Sequence, residues 1–480
     1  MLYELGAFFL YFSCIVLIGV VLYNKKISSS DFILGNRSLN YWVTALAAHA
    51  SDMSSWLFMA FPSMIFLYGV TKIWIAAGLT LCMFLNWHFI ARKIRVATEK
   101  SESLTFFSYL GDHFKDTSGF LRLTATALCS LFYILYVSVG LMALGILLES
   151  LFPISYELAT LISILVTLPY VLVGGYRTLA WIDLFQGLFL MAIIIFVPCF
   201  LFDKVGGFGG IQEAAALRNN NLLSFPEFSI KNTFGIIGVM LGWGLGYFGQ
   251  PTIITKFMGI KNAEEITKSK FIGMSWMILS LGAAVLVGLV AIPFFKSGLE
   301  NPEMLFIEMV KTSFHPFFIG LILCAIIAAC MNVMSSQILV LCSTFTEDIY
   351  KRSWKKNASS KELVLVSRAS TLGISLIAFL IAFYKINTVY ELVLYAWSGL
   401  GASFGPILIY SLYSKKSNTS IAWAGILSGG ISSAVWPWIN KKLLLSIDPI
   451  LIGFAASFIA IWVSAFLTEK KKQKTALGKT

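Results

Sequence analysis

The sequence predicts an all-α polytopic membrane protein of about thirteen transmembrane helices, forming a single transmembrane domain over residues 1–480. Three observations carry this. Of the 480 residues, 58% are hydrophobic and 12% charged, about half the ~25% charged share of soluble domains. A soluble fold of this size could not hide so much apolar surface, whereas a bilayer solvates it. The apolar residues also gather in runs of about 20, long enough to cross the hydrocarbon core as helices. Finally, the Lys and Arg behind the formal charge of +12 fall in short stretches between those runs. That is where the positive-inside rule places them, not on a solvated basic face suited to nucleic acid.

The expected spans are 3–23, 42–70, 72–91, 120–148, 155–174, 185–202, 233–257, 271–295, 316–342, 368–384, 388–413, 420–439 and 449–468. The first lacks a basic n-region and a small-residue cleavage pattern, so it reads as an uncleaved span and not a signal peptide. Between the second and third spans only a short turn, Gly69 to Lys72, marks a boundary. With the N-terminus outside, the inner segments and span ends hold 27 of the 36 Lys and Arg. This three-to-one bias predicts N-out, C-in in the cell membrane, with the basic tail 469–480 (Lys470, Lys471, Lys472, Lys474) as a cytoplasmic anchor too short for a signalling domain. Lys441 and Lys442, in an outer loop, go against the rule locally. The seven cysteines all lie in apolar runs, without a CxxC pair or a cluster with the four histidines, and read as small apolar filler.

Three spans break the apolar pattern with small and polar residues at membrane depth, where carriers place their sites. The second reads Ala47-Ala48-His49-Ala50-Ser51-Asp52-Met53-Ser54-Ser55-Trp56. An aspartate at that depth is costly and faces a partner or an aqueous cavity, and the small neighbours let the backbone unwind and offer carbonyls to a cation. The seventh contains Leu241-Gly242-Trp243-Gly244-Leu245-Gly246-Tyr247-Phe248-Gly249-Gln250-Pro251, in which four glycines and a proline make a poor regular helix. Trp243 and Tyr247, four apart, would stack on one face of a regular helix and suit a small, partly apolar zwitterion. The ninth runs Ala328-Ala329-Cys330-Met331-Asn332-Val333-Met334-Ser335-Ser336-Gln337. For each, close helix packing through small residues is the bland alternative. Asp183 falls toward the cytoplasmic end of the sixth span, Arg37 in the first inner loop, and His88 near the inner end of the third span. No Walker A, GxSxG, HExxH or kinase motif is present, so nothing supports ATP-driven transport or an enzyme. No pore-loop signature supports a channel.

Taken together, these segments resemble the sodium:solute symporter family, and its proline branch in particular. The resemblance is carried by SDMSSWL at Ser51–Leu57, GGYRTLAWID at Gly174–Asp183, GWGLGYFGQP at Gly242–Pro251, TEDIYK at Thr346–Lys351 and YAWSGLGASFGP at Tyr395–Pro406. It runs from the first span to the thirteenth in unbroken order. It implies a LeuT-type core of two inverted five-helix repeats, helices 2–6 and 7–11, and sodium-coupled uptake of L-proline by alternating access, with no cofactor. It further implies a cation site from the carbonyls of Ala50, Met53 and Ala329 with the side chain of Asn332, and places Asp52, Ser54 and Arg37 in cation coupling and gating. By the same resemblance Tyr136, Trp243, Tyr247 and Pro251 touch the solute, Ser55 replaces a usual glycine there, and Asp183 lies on the inner cation route.

One departure stands out. The family's cation site adds two adjacent hydroxyls from the ninth helix, and here those positions are Asn332 and Val333. A hard cation wants several oxygens, and valine offers none. Ser335 or Ser336 could supply it, water could complete the shell, or the carrier could be proton-coupled through Asp52 or His49. Another amino acid, a betaine or pantothenate are the alternative solutes, and a transporter-like nutrient sensor is the alternative class.

Overall fold

The computed structural model describes residues 2–22, 28–218, 221–227, 229–385, 388–443 and 447–477; the side chains of Tyr170, Val173, Gly174 and the tail beyond Lys470 also lie outside the described set, the tail lysines included. In chain order the helices are α1 (Leu2–Leu22), α2 (Ser29–Leu34), α3 (Tyr41–Met53), α4 (Ala60–Tyr68), α5 (Ile73–Asn86), α6 (Arg92–Lys100), α7 (Phe106–His113), α8 (Phe120–Leu151), α9 (Tyr156–Phe202) and α10 (Gly207–Arg218). They continue as α11 (Ile230–Gly244), α12 (Pro251–Gly259), α13 (Ile266–Phe294), α14 (Leu305–Ser313), α15 (Pro316–Thr344), α16 (Ser360–Phe383), α17 (Val389–Tyr413), α18 (Thr419–Leu443) and α19 (Pro449–Leu477). Among the described residues nine helical stretches are long and apolar enough to cross a membrane unaided. The other expected spans fall on helices that are interrupted or less apolar, which is why simple length and hydropathy pass over them.

The burial pattern is that of a bundle whose solvent is lipid. α15 runs through the middle, every residue from Ile322 to Thr344 buried, and packs on α1, α3, α8, α9 and α16. Outer helices such as α1 and α16 instead leave Val16, Leu17, Leu376 and Leu380 exposed, as expected where no water must be avoided.

Two span boundaries differ from the sequence expectation for a physical reason. The fifth and sixth spans are joined as α9, bent at Gly175 (φ 64°, ψ 170°). That left-handed φ needs no Cβ, so the chain turns within one residue and the second arm begins at Gly175, about ten residues earlier than 185–202 suggests. The third span likewise continues beyond 91, through a π-turn at Trp87–Ala91 into α6, which packs on α12 with Ile94, Arg95 and Thr98 buried. At the turn between the second and third spans, Gly69 (φ 72°) lies against the Leu222 carbonyl, 1.9 Å from where a Cβ would stand. The Val70 N–H donates to the same carbonyl at 2.8 Å.

Candidate functional site

The two broken helices meet at the centre. α3 stops at Met53 because Ser54 takes φ 39°, ψ −167°, a region that non-glycine residues occupy only where the surroundings impose it. The Ser54 hydroxyl accepts the Trp56 N–H at 3.2 Å, which starts a 3-10 turn at Ser55–Leu57 before α4 resumes. The last four carbonyls of a helix lack intrahelical donors, and here they include those of Ala50 and Met53. The second break follows α11. A 3-10 turn, Leu245–Gly249, leads to an extended Gln250 (φ −83°, ψ 108°), and α12 restarts with Pro251 at its first turn, where the missing N–H costs nothing.

Groups outside the motif's solute positions hold this second break open. The Asn86 amide donates to the Tyr247 carbonyl at 2.9 Å, and the Trp397 indole N–H to the Trp243 carbonyl at 2.8 Å. The indole fills the space beside Gly246, where a Cβ would sit 1.9 Å from its nitrogen. Tyr133 accepts the Thr252 N–H at 3.0 Å at the start of α12. The sequence reading assigned none of these roles. The only signal was the family stretch around Trp397.

Between the breaks lies a cavity of about 20 Å³, lined by Asp52, Met53, Trp56, Leu79, Tyr136, Trp243, Tyr247, Val393 and Trp397. It brings together Asp52, Met53, Tyr136, Trp243 and Tyr247, five of the sequence-predicted site residues. The Tyr247 hydroxyl donates to the Asp52 carboxylate at 2.5 Å, a short charge-assisted bond that ties the two breaks. Trp243 and Tyr247 do not share a stacked face, because the helix loses α geometry between them. Trp243 packs on Trp56 (centroids 5.1 Å) and Tyr390 (5.5 Å), while Tyr247 meets Trp397 edge-on at 5.1 Å. Trp56 is buried, and among the described residues its indole N–H has no partner. The volume suits about one water, so a solute of amino-acid size requires these walls to move apart.

Ser55 and Pro251 are buried but do not line this cavity. Ala329 and Asn332 are fully buried on α15, which packs on α3 and on the Ser55–Leu57 turn. Among the described residues both side-chain polar atoms of Asn332 and the hydroxyl of Ser336 have no hydrogen-bond partner. Buried polar groups of this kind are satisfied by a water, an ion or a rearranged neighbour. Val333 is buried and offers no oxygen. Ser335 donates to the Asn332 carbonyl at 2.9 Å, whereas Ser336 lies four residues after Asn332, on the same helical face.

His49 is not in the cavity. It is fully buried, flanked by Trp87 and Trp276, and its Nε2 accepts the Trp87 indole N–H at 3.1 Å. An indole only donates, so protonating Nε2 would break that bond. His49 therefore acts as a structural acceptor. Glutamine can also accept, so His49→Gln is expected to leave uptake and its pH profile unchanged. His49→Leu strands the indole and should cost ~1–3 kcal/mol in a thermal melt. A shifted pH profile in His49→Gln would return the residue to proton coupling.

Asp183 is fully buried, not at a solvated helix end, and Lys256 of α12 donates to it at 2.7 Å with its own side chain 3% exposed. The sequence reading missed Lys256, since a lone basic residue at a span end looks like a topology signal. Arg37 donates to the carbonyls of Met258 (2.7 Å), Thr98 (2.9 Å) and Ser103 (2.9 Å). Burial, with Arg95 nearby, lowers its guanidinium to about 10, which leaves it charged at neutral pH. Arg95 donates to the Ile260 carbonyl at 2.7 Å, and the Leu39 N–H to that of Gly259 at 3.2 Å. Together these bonds cap the C-terminal end of α12. The carboxylates of the TEDIYK stretch are structural: Asp348 accepts from Thr105 and Ser108, both at 2.6 Å.

The comparisons with known proteins bear on this geometry. The sodium:solute symporter family model matches residues 32–429. The chain belongs to that family. Among its relatives, the high-affinity proline transporter PutP of Bacillus subtilis is 38% identical over 462 residues, 95% of this chain and 97% of the relative. The sodium/proline symporter of Escherichia coli is 38% identical over 471 residues, 96% and 93% of the two chains. A solved Na+-coupled sialic acid symporter in a substrate-bound, outward-open state superposes with a TM-score of 0.80 at 19% identity, covering 97% of this transporter and 98% of that chain. The fold is thus the LeuT-type fold of these transporters, and the protein is an integral membrane transporter.

Proposed function

We propose that this transporter carries L-proline into the cell with sodium, by alternating access around the Asp52–Tyr247 cavity. The observation that carries the reading is the meeting of two broken helices at that bond, in a chain 38% identical along nearly its whole length to proteins named for proline and sodium/proline transport. The cavity chemistry suits a small zwitterion: a carboxylate for an ammonium, an unpartnered indole N–H for a carboxylate, and rings for an apolar ring. The paired breaks fall in the first helix of each five-helix repeat that the family resemblance implies. N-out, C-in follows from 27 of 36 basic residues lying on one side. On that orientation Arg37, Leu39 and Arg95 hold the cytoplasmic exit shut and must release for delivery, and Asp183 lies on the way out. Binding of labelled proline in sodium buffer tests the solute: competition by proline but not by a betaine or pantothenate is expected, and indifference to proline would refute it.

For the coupling ion, the carbonyls of Ala50, Met53 and Ala329 with Asn332 form the shell, and Ser336 takes the part that Val333 cannot. Ser336→Ala is expected to weaken apparent sodium affinity about tenfold, or ~1.4 kcal/mol, while Val333→Ser strengthens it. Sodium dependence unaltered in both variants would place the last ligand elsewhere.

A further inference from the structure

A second, larger concavity of about 760 Å³ opens at the basic end of the bundle, away from the central cavity. Its walls come from the π-turn, α6, α7 and the end of α17, and carry Arg92, Lys93, Lys100, His88 and His113 against the carboxylate of Asp112. That carboxylate is already neutralised by an ion pair with Arg122. Arg92 is shared with Glu264 at the rim, and Lys93 stands over the Tyr413 ring, 3.4 Å from its centroid. Among the described residues Lys100 has no ion-pair partner. The Nε2 of His113 is buried and has no hydrogen-bond partner among the described residues. Arg92, Lys93 and Lys100 around one concavity, with its one lining acid already paired to Arg122, leave an unmet demand for negative charge.

We propose that this concavity is a binding site for a phosphate-bearing anion, either the headgroup of an acidic lipid or a soluble phosphate. Flanking surfaces suit the lipid source. Phe84, Phe89 and Phe271 are 38%, 49% and 60% exposed, an apolar rim at the edge of the membrane-spanning segments, and Lys270 lies over the rings of Phe84 and Phe271. Basic pockets beside apolar flanks capture acidic headgroups at the inner interface, the side on which the orientation proposed above puts this end. The site also reaches the bonds that cap α12. α6 forms one wall and, on its other face, carries Arg95, bonded to the Ile260 carbonyl, and Thr98, whose carbonyl accepts Arg37. An anion that fixes α6 thereby steadies the closed inner end.

The test uses the full chain in neutral phosphatidylcholine nanodiscs, titrated with short-chain phosphatidylglycerol or with inorganic phosphate, and reads the melting temperature and lipid retention by native mass spectrometry. The parent should show a saturable rise in melting temperature. K93Q/K100Q should lose most of it, and K355Q/K356Q, an equally basic inner loop pair, should keep it. A rise and a retained lipid with phosphatidylglycerol alone assign the headgroup; an equal rise with inorganic phosphate assigns a soluble anion. If K93Q/K100Q responds like the parent, or K355Q/K356Q loses as much, the effect is diffuse surface charge and the site is overturned.

Discussion

Replacing Asp52 by asparagine is expected to lower sodium-driven uptake by about 10- to 100-fold, the equivalent of the ~1.5–3 kcal/mol assigned to a hydrogen bond with a charged partner. The side chain keeps its size, so the cavity walls stay in place. What is lost is the negative charge that accepts the Tyr247 proton at 2.5 Å and joins the two breaks. Surface expression should stay near the parent's, since the Asn amide oxygen can still accept the Tyr247 hydroxyl and the neutral amide strands no charge. Quantifying initial uptake against membrane-inserted protein separates the two effects. Parent-level transport in this variant would remove Asp52 from coupling.

A second large effect is expected at Lys256, this time on stability. Lys256→Met leaves Asp183 in a fully buried position without its cation, and breaking a buried pair from one side costs ~3–5 kcal/mol. The matching change Asp183→Leu in the same chain removes the stranded charge and should recover most of the loss, because a buried pair contributes little over an apolar replacement. Thermal melts of the two single variants and the double variant give the coupling directly. A double variant no more stable than Lys256→Met would mean the lysine acts through packing on Tyr176, whose ring lies 5.3 Å away, and not through charge. Uptake by a folded double variant reads separately whether Asp183 serves the cation's exit.

The sequence made the membrane class and the places of the breaks legible, because both rest on residue types that lipid punishes. An aspartate, paired serines, or four glycines and a proline inside apolar runs have few other uses. Exact limits were less legible. One left-handed glycine, Gly175, bends α9 without interrupting its helical pattern, so the apolar count placed the sixth span too late. Partners across helices were not legible at all. His49 looked like a titratable group because its ring is visible in the sequence and the Trp87 indole that occupies it is not. Lys256 was counted as a topology signal since its carboxylate lies 73 residues earlier. Trp397 was part of a motif without a role until its indole was seen closing the space beside Gly246. The exchange of a family hydroxyl for Val333 was visible at once, whereas what distinguishes the two nearby serines was not: Ser335 donates to the Asn332 carbonyl, and the Ser336 hydroxyl has no partner among the described residues.

The most direct measurement of the central claim is proline accumulation in proteoliposomes holding the purified chain, with sodium and proton gradients imposed one at a time. An inward sodium gradient at equal pH on both sides should drive concentrative proline uptake, and replacing sodium by choline should abolish it. Undiminished accumulation in choline, driven by a proton gradient alone, would contradict sodium coupling at the Ala50, Met53, Ala329 and Asn332 shell.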